Sequence, residues 1–335
     1  MKAYIKGIGS CVPARKVSND DLAKTVDTSD EWIYSHTGIR NRHIVEEGEA
    51  ASDLALGAAL AALKDSGESA ATVDMILVAT VTPDYPGFPS TACVVQDRLG
   101  ARNAAAMDIS AACSGFVYGL EMARVFIEGG VYKNVLVIGA ETLSRITNWK
   151  DRNTCVLFGD GAGAALVSAV DGTGEGTVGG GGRGIIVSHL EADGSGGSAL
   201  IRPDGGSRNP FAPDRAPGDT LFLRMDGGKV YRFAVDALGR VGEILLAKAA
   251  LDISSIDFIV PHQANIRIIE ACAKRLSLPL DKFYINIQEF ANTSSASIPI
   301  ALADMKQKGI LKAGQLIMTV AFGAGLTCGG NIIRW

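Results

Sequence analysis

The chain reads as an α/β protein built from two copies of one α/β unit. Apolar strand-like runs alternate with alanine-rich amphipathic stretches, the pattern of helices covering a mostly parallel sheet. Three segments also recur at an offset of roughly 180 residues, which reads as an internal duplication. Val73–Ala79 resembles Ile256–His262, Ala106–Cys113 resembles Tyr284–Asn292, and Asn134–Gly139 resembles Gln315–Val320. The expected organisation is a first half over residues 1–175, a connecting segment over 176–228 and a second half over 229–335.

Taken in order, Met1–Ser10 reads as a strand running into a glycine turn, with none of the basic, apolar and cleavage regions of a leader. A buried apolar strand over Ala104–Ile109 leads through Ser110-Ala-Ala-Cys113 into a helix over Ser114–Glu128. From Asp171 to Gly228 the composition shifts to Gly, Pro, Asp and Ser, with one strand at Gly184–His189; the Gly179–Gly184 run reads as a turn or linker. A four-residue apolar strand precedes His262, and an amphipathic helix covers Ile266–Ser277. In a duplicated fold of this kind, sites gather beyond strand ends where the repeats meet. Cys113, His262 and Asn292 each fall at such an end.

At 335 residues, 47% hydrophobic and 20% charged, the chain can bury one large core or two joined ones. A net charge of −4 gives no general attraction to nucleic acid or an anionic membrane, so neither is expected as a partner. No apolar run approaches the ~20 residues that span a bilayer, and a cytoplasmic location is the default expectation. Six cysteines without a CxxC pair read as reduced thiols, and four histidines without ligand spacing lead to no metal assignment.

Cys113 sits at the start of a helix, where backbone N–H groups favour thiolate over thiol; the alternative is a small buried cysteine. His262, in Pro261-His-Gln-Ala-Asn265, emerges at an element boundary and reads either as a structural or as a chemical histidine. Asn292, in Asn-Thr-Ser-Ser-Ala-Ser297, is either a helix cap or a site amide. Together the three make a set able to acylate a thiol and polarise a thioester carbonyl.

These strings, with Phe158-Gly-Asp-Gly-Ala-Gly-Ala164, Phe322-Gly-Ala-Gly-Leu326, Asp30-Glu-Trp-Ile33 and Thr37-Gly-Ile-Arg40, resemble the β-ketoacyl-acyl-carrier-protein synthase III family from residue 1 to 335. The resemblance implies a thiolase-like fold with a layered α-β-α-β-α core, and the initiating condensation of type II fatty acid synthesis. Cys113 would take a short acyl group from acyl-CoA. His262 and Asn292 would hold the malonyl thioester of malonyl-acyl carrier protein while CO₂ leaves, and the backbone amides of Cys113 and Ala324 would hold the oxyanion. The family usually has Gly at the position of Ala324, so the role depends on the backbone angles that Ala adopts there.

For CoA, the resemblance implies Trp32 against the adenine, Arg152 near the nucleotide end, and Thr28 and Asn265 along the pantetheine route. His36 stands where many relatives carry Arg. Phe88 falls where the family reaches into the partner's acyl pocket, which implies a homodimer. Arg232, Arg267, Lys274 and Arg275 match a carrier-docking patch. No cofactor is implied, since acyl-CoA is a substrate. The rival readings are a secondary-metabolism ketosynthase or acyltransferase, a thiolase using Cys328, and a non-catalytic partner subunit.

Overall fold

The computed structural model describes residues 1–170, 182–211 and 218–335. The expected boundary at 175/176 and the start of the Gly179–Gly184 run lie outside the described residues.

Apolar runs of the first half form one sheet from β1 (Lys2–Cys11), β2 (Met75–Ala79), β3 (Ala105–Ile109), β4 (Asn134–Glu141) and β5 (Gly161–Val170). Their order is β1-β5-β4-β2-β3; β4, β2 and β3 are parallel, and β5 runs antiparallel to both its neighbours. Every residue of β2 is buried, as expected of a parallel strand covered on both faces. The second sheet comprises β6 (Gly184–Ala192), β7 (Phe258–Pro261), β8 (Leu316–Gly323) and β9 (Thr327–Arg334), ordered β6-β9-β8-β7 with β7 and β8 parallel. An isolated parallel bridge from Ile259 to Phe283 occupies the place that β3 has in the first sheet. The two sheets therefore share one topology, with β2 matching β7 and β4 matching β8, as the recurring segments predict.

The main helices are α1 (Asp30–Thr37), α2 (Ala51–Ser66), α3 (Thr91–Leu99), α4 (Gly115–Glu128), α5 (Gly227–Ala249), α6 (Ile266–Arg275) and α7 (Ser297–Gln307). Apolar residues of α2 and α3 pack on the outer face of the first sheet, and those of α5 and α6 on the outer face of the second. Between the sheets lie α4 and α7, whose Phe116, Leu120, Leu302 and Met305 join both halves in one core. The result is the layered α-β-α-β-α arrangement. No helix among the described residues is long and apolar enough to cross a membrane.

Two expectations change. The strand before Cys113 is a half-exposed sheet edge rather than a buried strand, because nothing among the described residues pairs beyond β3. Tyr284–Asn292 is not a strand. Only Phe283 bridges to the sheet, the Asn286 amide and side chain are taken by Gln263 and Asp304, and the chain turns into a short helix, Ile287–Phe290. Within the segment 176–228 the strand expected at Gly184–His189 is β6, which extends to Ala192 and pairs with β9 in the second sheet.

The halves meet closely at Gly139 in β4, where a Cβ would stand 2.3 Å from the Ser295 carbonyl oxygen. Backbone cannot give way as a side-chain tip does. Gly139→Ala is expected to lower the unfolding free energy by about 1–3 kcal/mol, read as an earlier urea midpoint.

Candidate active site

Beyond β3 the chain enters a tight turn in which Ala112 takes φ +46° and Cys113 follows in a 3₁₀ turn, Ala112–Ser114, that feeds α4. The other half braces this turn. The Thr327 hydroxyl donates to the Ala111 carbonyl at 2.9 Å, the Ser114 hydroxyl donates to the Thr327 carbonyl at 3.3 Å, and a Cβ on Gly323 would lie 2.7 Å from the Cys113 nitrogen. Only glycine lets the end of β8 lie so close to the nucleophile's amide.

His262 follows β7, its amide donating to the Val320 carbonyl at 2.8 Å. Its Nδ1 lies 2.7 Å from Ser297 Oγ, at the first residue of α7, and its ring edge packs on Phe322 with centroids 5.3 Å apart. The Gln263 amide also points at Ser297 Oγ, at 3.4 Å. Among the described residues Nδ1 is the one acceptor within reach of the Ser297 hydroxyl, so we assign the hydroxyl proton to that bond and the imidazole's own proton to Nε2. Among the described residues Nε2 is buried and unpartnered, a donor awaiting an acceptor. Asn292 is stitched to the first half, its amide donating to Leu157 O and its carbonyl accepting from Gly159 N, both at 3.0 Å. Its Oδ1 accepts from the Ser294 amide at 2.9 Å, which leaves Nδ2 as the donor.

Cys113, His262 and Asn292 line one cavity of about 480 Å³, with Trp32, His36 and Asn265 toward its mouth. A second, mainly apolar pocket of about 170 Å³ shares Cys113, Phe158 and Ala324 and runs on between Leu143, Ile146 and Leu223. The thiol thus sits where a wide channel meets a small apolar chamber.

Burial pushes the Cys113 thiol up to about 12; the Ser294 hydroxyl and the cysteine's own backbone pull it down, while the Glu141 charge raises it further. The helix start was expected to favour thiolate, yet desolvation outweighs it and the resting group is a thiol. Burial lowers His262 to about 3, so the ring is neutral at physiological pH.

The remaining predicted residues scatter. Trp32 and His36 stack with centroids 4.5 Å apart, and the Arg152 guanidinium lies 4.1 Å from the Trp32 ring centre. Asn265 caps α6 through the Arg267 amide and donates to the His36 carbonyl. Thr28 lines neither cavity, although its hydroxyl is buried without a partner among the described residues. Ala324 lines both cavities, and its φ lies outside the left-handed region, so alanine carries no backbone strain there. Phe88 lies outside both cavities of its own chain and is 88% exposed. Arg267 stands at the channel mouth, Lys274 and Arg232 are exposed, and Arg275 is occupied by Asp236 and Glu243.

Sequence reasoning missed Glu141, Ser294 and Ser297. The two serines lie inside the Asn292–Ser297 string that it quoted, and Glu141 was visible only as a carboxylate closing an apolar strand.

Two repeated α/β units with a cysteine, a histidine and an asparagine at their junction define a thiolase-fold condensing enzyme. Family models described as 3-oxoacyl-[acyl-carrier-protein] synthase III match residues 107–194 and, for the C-terminal part, 246–335. The β-ketoacyl-[acyl-carrier-protein] synthase III of Caldanaerobacter subterraneus subsp. tengcongensis is 52% identical over 99% of this chain and 98% of that protein. The crystal structure of 3-oxoacyl-[acyl-carrier-protein] synthase III from Aquifex aeolicus superposes with a TM-score of 0.89 at 42% identity, covering 99% of this chain and 100% of that one. A priming β-ketosynthase from the R1128 polyketide pathway is similar at 32% identity and a TM-score of 0.87, over 99% and 96% of the two chains. The chain belongs to the β-ketoacyl-acyl-carrier-protein synthase III family.

A histidine buried as the neutral ring makes stability depend on pH. Folded His262 resists protonation down to about 3 while the unfolded residue takes a proton near 6.5, so its contribution is whole above 6.5 and lost as pH falls toward 3. From about pH 7 to about pH 5 the wild type is expected to lose about 2 kcal/mol more than His262→Gln, measured by urea unfolding at each pH.

Proposed function

We propose that this chain carries out the initiating condensation of type II fatty acid synthesis, joining a short acyl-CoA primer to malonyl-acyl carrier protein. The observation that carries the reading is the meeting of channel and apolar chamber at Cys113, beneath the donor nitrogens of His262 and Asn292. In the first half-reaction the Cys113 sulfur attacks the acyl thioester, the amides of Cys113 and Ala324 hold the oxyanion, and CoA leaves. The acyl chain then lies in the chamber of Leu143, Ile146 and Leu223. In the second, His262 Nε2–H and Asn292 Nδ2–H donate to the malonyl thioester oxygen. Loss of CO₂ leaves an enolate whose carbon attacks the acyl-cysteine, giving the β-ketoacyl-carrier product and free Cys113. Donors aimed at developing charge are worth roughly 10²–10³ in rate each.

Trp32, Arg152, His36 and Asn265 form the CoA-binding mouth in this reading, with Thr28 beside it. We place the enzyme in the cytoplasm as a homodimer. An exposed aromatic ring at Phe88 and a half-exposed edge strand β3 support a partner covering that face. Carrier docking falls to Arg232, Arg267 and Lys274, because Arg275 is already neutralised by two carboxylates. The polyketide relative favours one rival, a priming ketosynthase of secondary metabolism, which differs only in the primer the chamber admits.

Intact-mass analysis after incubation with a panel of acyl-CoAs is expected to show an adduct on the wild type and none on Cys113→Ala; the primer that loads best distinguishes the two pathways. Asn292→Ala is expected to keep the adduct but discharge it with malonyl-carrier roughly 10²–10³ more slowly. Lys274→Glu is expected to raise KM for the malonyl carrier several-fold without changing the rate of adduct formation.

A further inference from the structure

One buried ionisable group has no part in that chemistry. Glu141 ends β4, lines neither cavity and is 0% exposed. One of its carboxylate oxygens accepts from the Val81 amide at 3.1 Å and the Thr82 hydroxyl at 2.7 Å, with the Thr80 hydroxyl at 3.4 Å. The other accepts from the hydroxyls of Ser294 and Ser295, each at 3.0 Å. Among the described residues no Lys, Arg or His pairs with it. A buried carboxylate satisfied only by neutral donors is uncommon, because its charge is left uncompensated.

Ser294 touches both ends of a line. Its hydroxyl donates to Glu141 at 3.0 Å, and it lines the apolar chamber together with Cys113, whose thiolate the hydroxyl favours. A serine has one proton to give. With that proton committed to Glu141, the oxygen keeps lone pairs free to take a proton from the cysteine, and its hydroxyl can then turn to the thiolate. Ser295 is arranged for either state of the acid, since its proton can go to the Ala79 carbonyl at 2.8 Å and leave its oxygen free to accept from a protonated Glu141. Meanwhile His262 presents Nε2–H, the tautomer of a donor and not of a base.

We propose that Glu141, acting through Ser294, is the group that receives the Cys113 proton when the nucleophile is generated. The Cys113 S–H bond breaks as a new Ser294 O–H bond forms, and Ser294's original proton passes to Glu141. The pair moves from thiol and carboxylate to thiolate and carboxylic acid, with its total charge unchanged. A thiolate beside an ionised Glu141 would be a like-charge pair, and the transfer removes that repulsion. The thiolate then attacks the thioester. The departing CoA sulfur takes a proton, and Glu141 returns to carboxylate on giving one up, so the cycle restores the pair.

The groups that face Cys113 are Glu141 and His262. Farther along, the ionisable side chains are Arg202 in the chamber and His36, Tyr231 and Arg267 in the channel. An internal transfer has a signature that a structural role lacks. Because thiol–carboxylate and thiolate–acid hold the same number of protons, their ratio does not change with pH.

The test is the rate of Cys113 alkylation by iodoacetamide, followed on the Cys113 peptide by mass spectrometry from about pH 6 to about pH 9. The wild-type rate is expected to be flat, while Glu141→Gln and Ser294→Gly should show a rate rising about tenfold per pH unit, as an isolated thiol does. Glycine suits the Ser294 backbone at φ +48° and leaves Glu141 its other donors, so this variant decides the matter if Glu141→Gln weakens the fold. A wild-type rate that itself rises tenfold per unit overturns the relay. A flat profile surviving in both variants also overturns it and assigns the proton to His262. The proposal rests on Cys113 as the nucleophile of the condensation. Alkylation needs neither acyl-CoA nor carrier, so a failed relay and a failed acyl adduct are separate results.

Discussion

The buried carboxylate of Glu141 is the constraint around which the two halves are assembled. An anion with no cation beside it must be satisfied by donors, and here they come from the loop after β2 and from Ser294 and Ser295 of the second half. Neither source satisfies both oxygens alone. Docking of the halves is therefore also the satisfaction of this group, and losing either set of donors while the halves stay packed would leave a desolvated charge unsatisfied. The contact of Gly139 with the Ser295 carbonyl follows from the same demand, since the serines reach Glu141 only if Gly139, two residues before it on β4, carries no side chain.

The site inherits its geometry from that junction. Two of the three catalytic residues are held by the half they do not belong to: Thr327 braces the Cys113 turn, and Leu157 and Phe158 stitch Asn292, while Val320 and Ser297 set His262 from within its own half. Ala112, Ala291 and Ser294 all take positive φ within this small region. Backbone strain gathered at one place persists only where surrounding contacts over-determine it, and cross-half bonding supplies those contacts. The same enclosure that orders the residues also dries them, which is why the thiol and the imidazole both rest neutral.

Much of this was legible in the chain because duplication writes the same strand pattern twice. The matches of Val73–Ala79 with Ile256–His262 and of Asn134–Gly139 with Gln315–Val320 became structurally equivalent strands, and Cys113 and His262 appeared at the strand ends where the topology puts a site. The third match failed as a strand because the hydrogen bonds at Asn286 turn the chain after a single bridge. Those partners lie more than fifteen residues away and leave no periodic trace. Glu141 was equally silent, since a glutamate at the end of an apolar run looks like any strand-terminating polar residue until its donors are known.

Sequence alone determined the α/β class, the duplication and the three side chains able to do thioester chemistry, because periodicity and local residue chemistry are properties of neighbours along the chain. Tertiary structure alone decided the protonation of those side chains, the reach of the two cavities and the link from Cys113 through Ser294 to Glu141. Desolvation and hydrogen bonding act between residues that only the packing of one half on the other brings together.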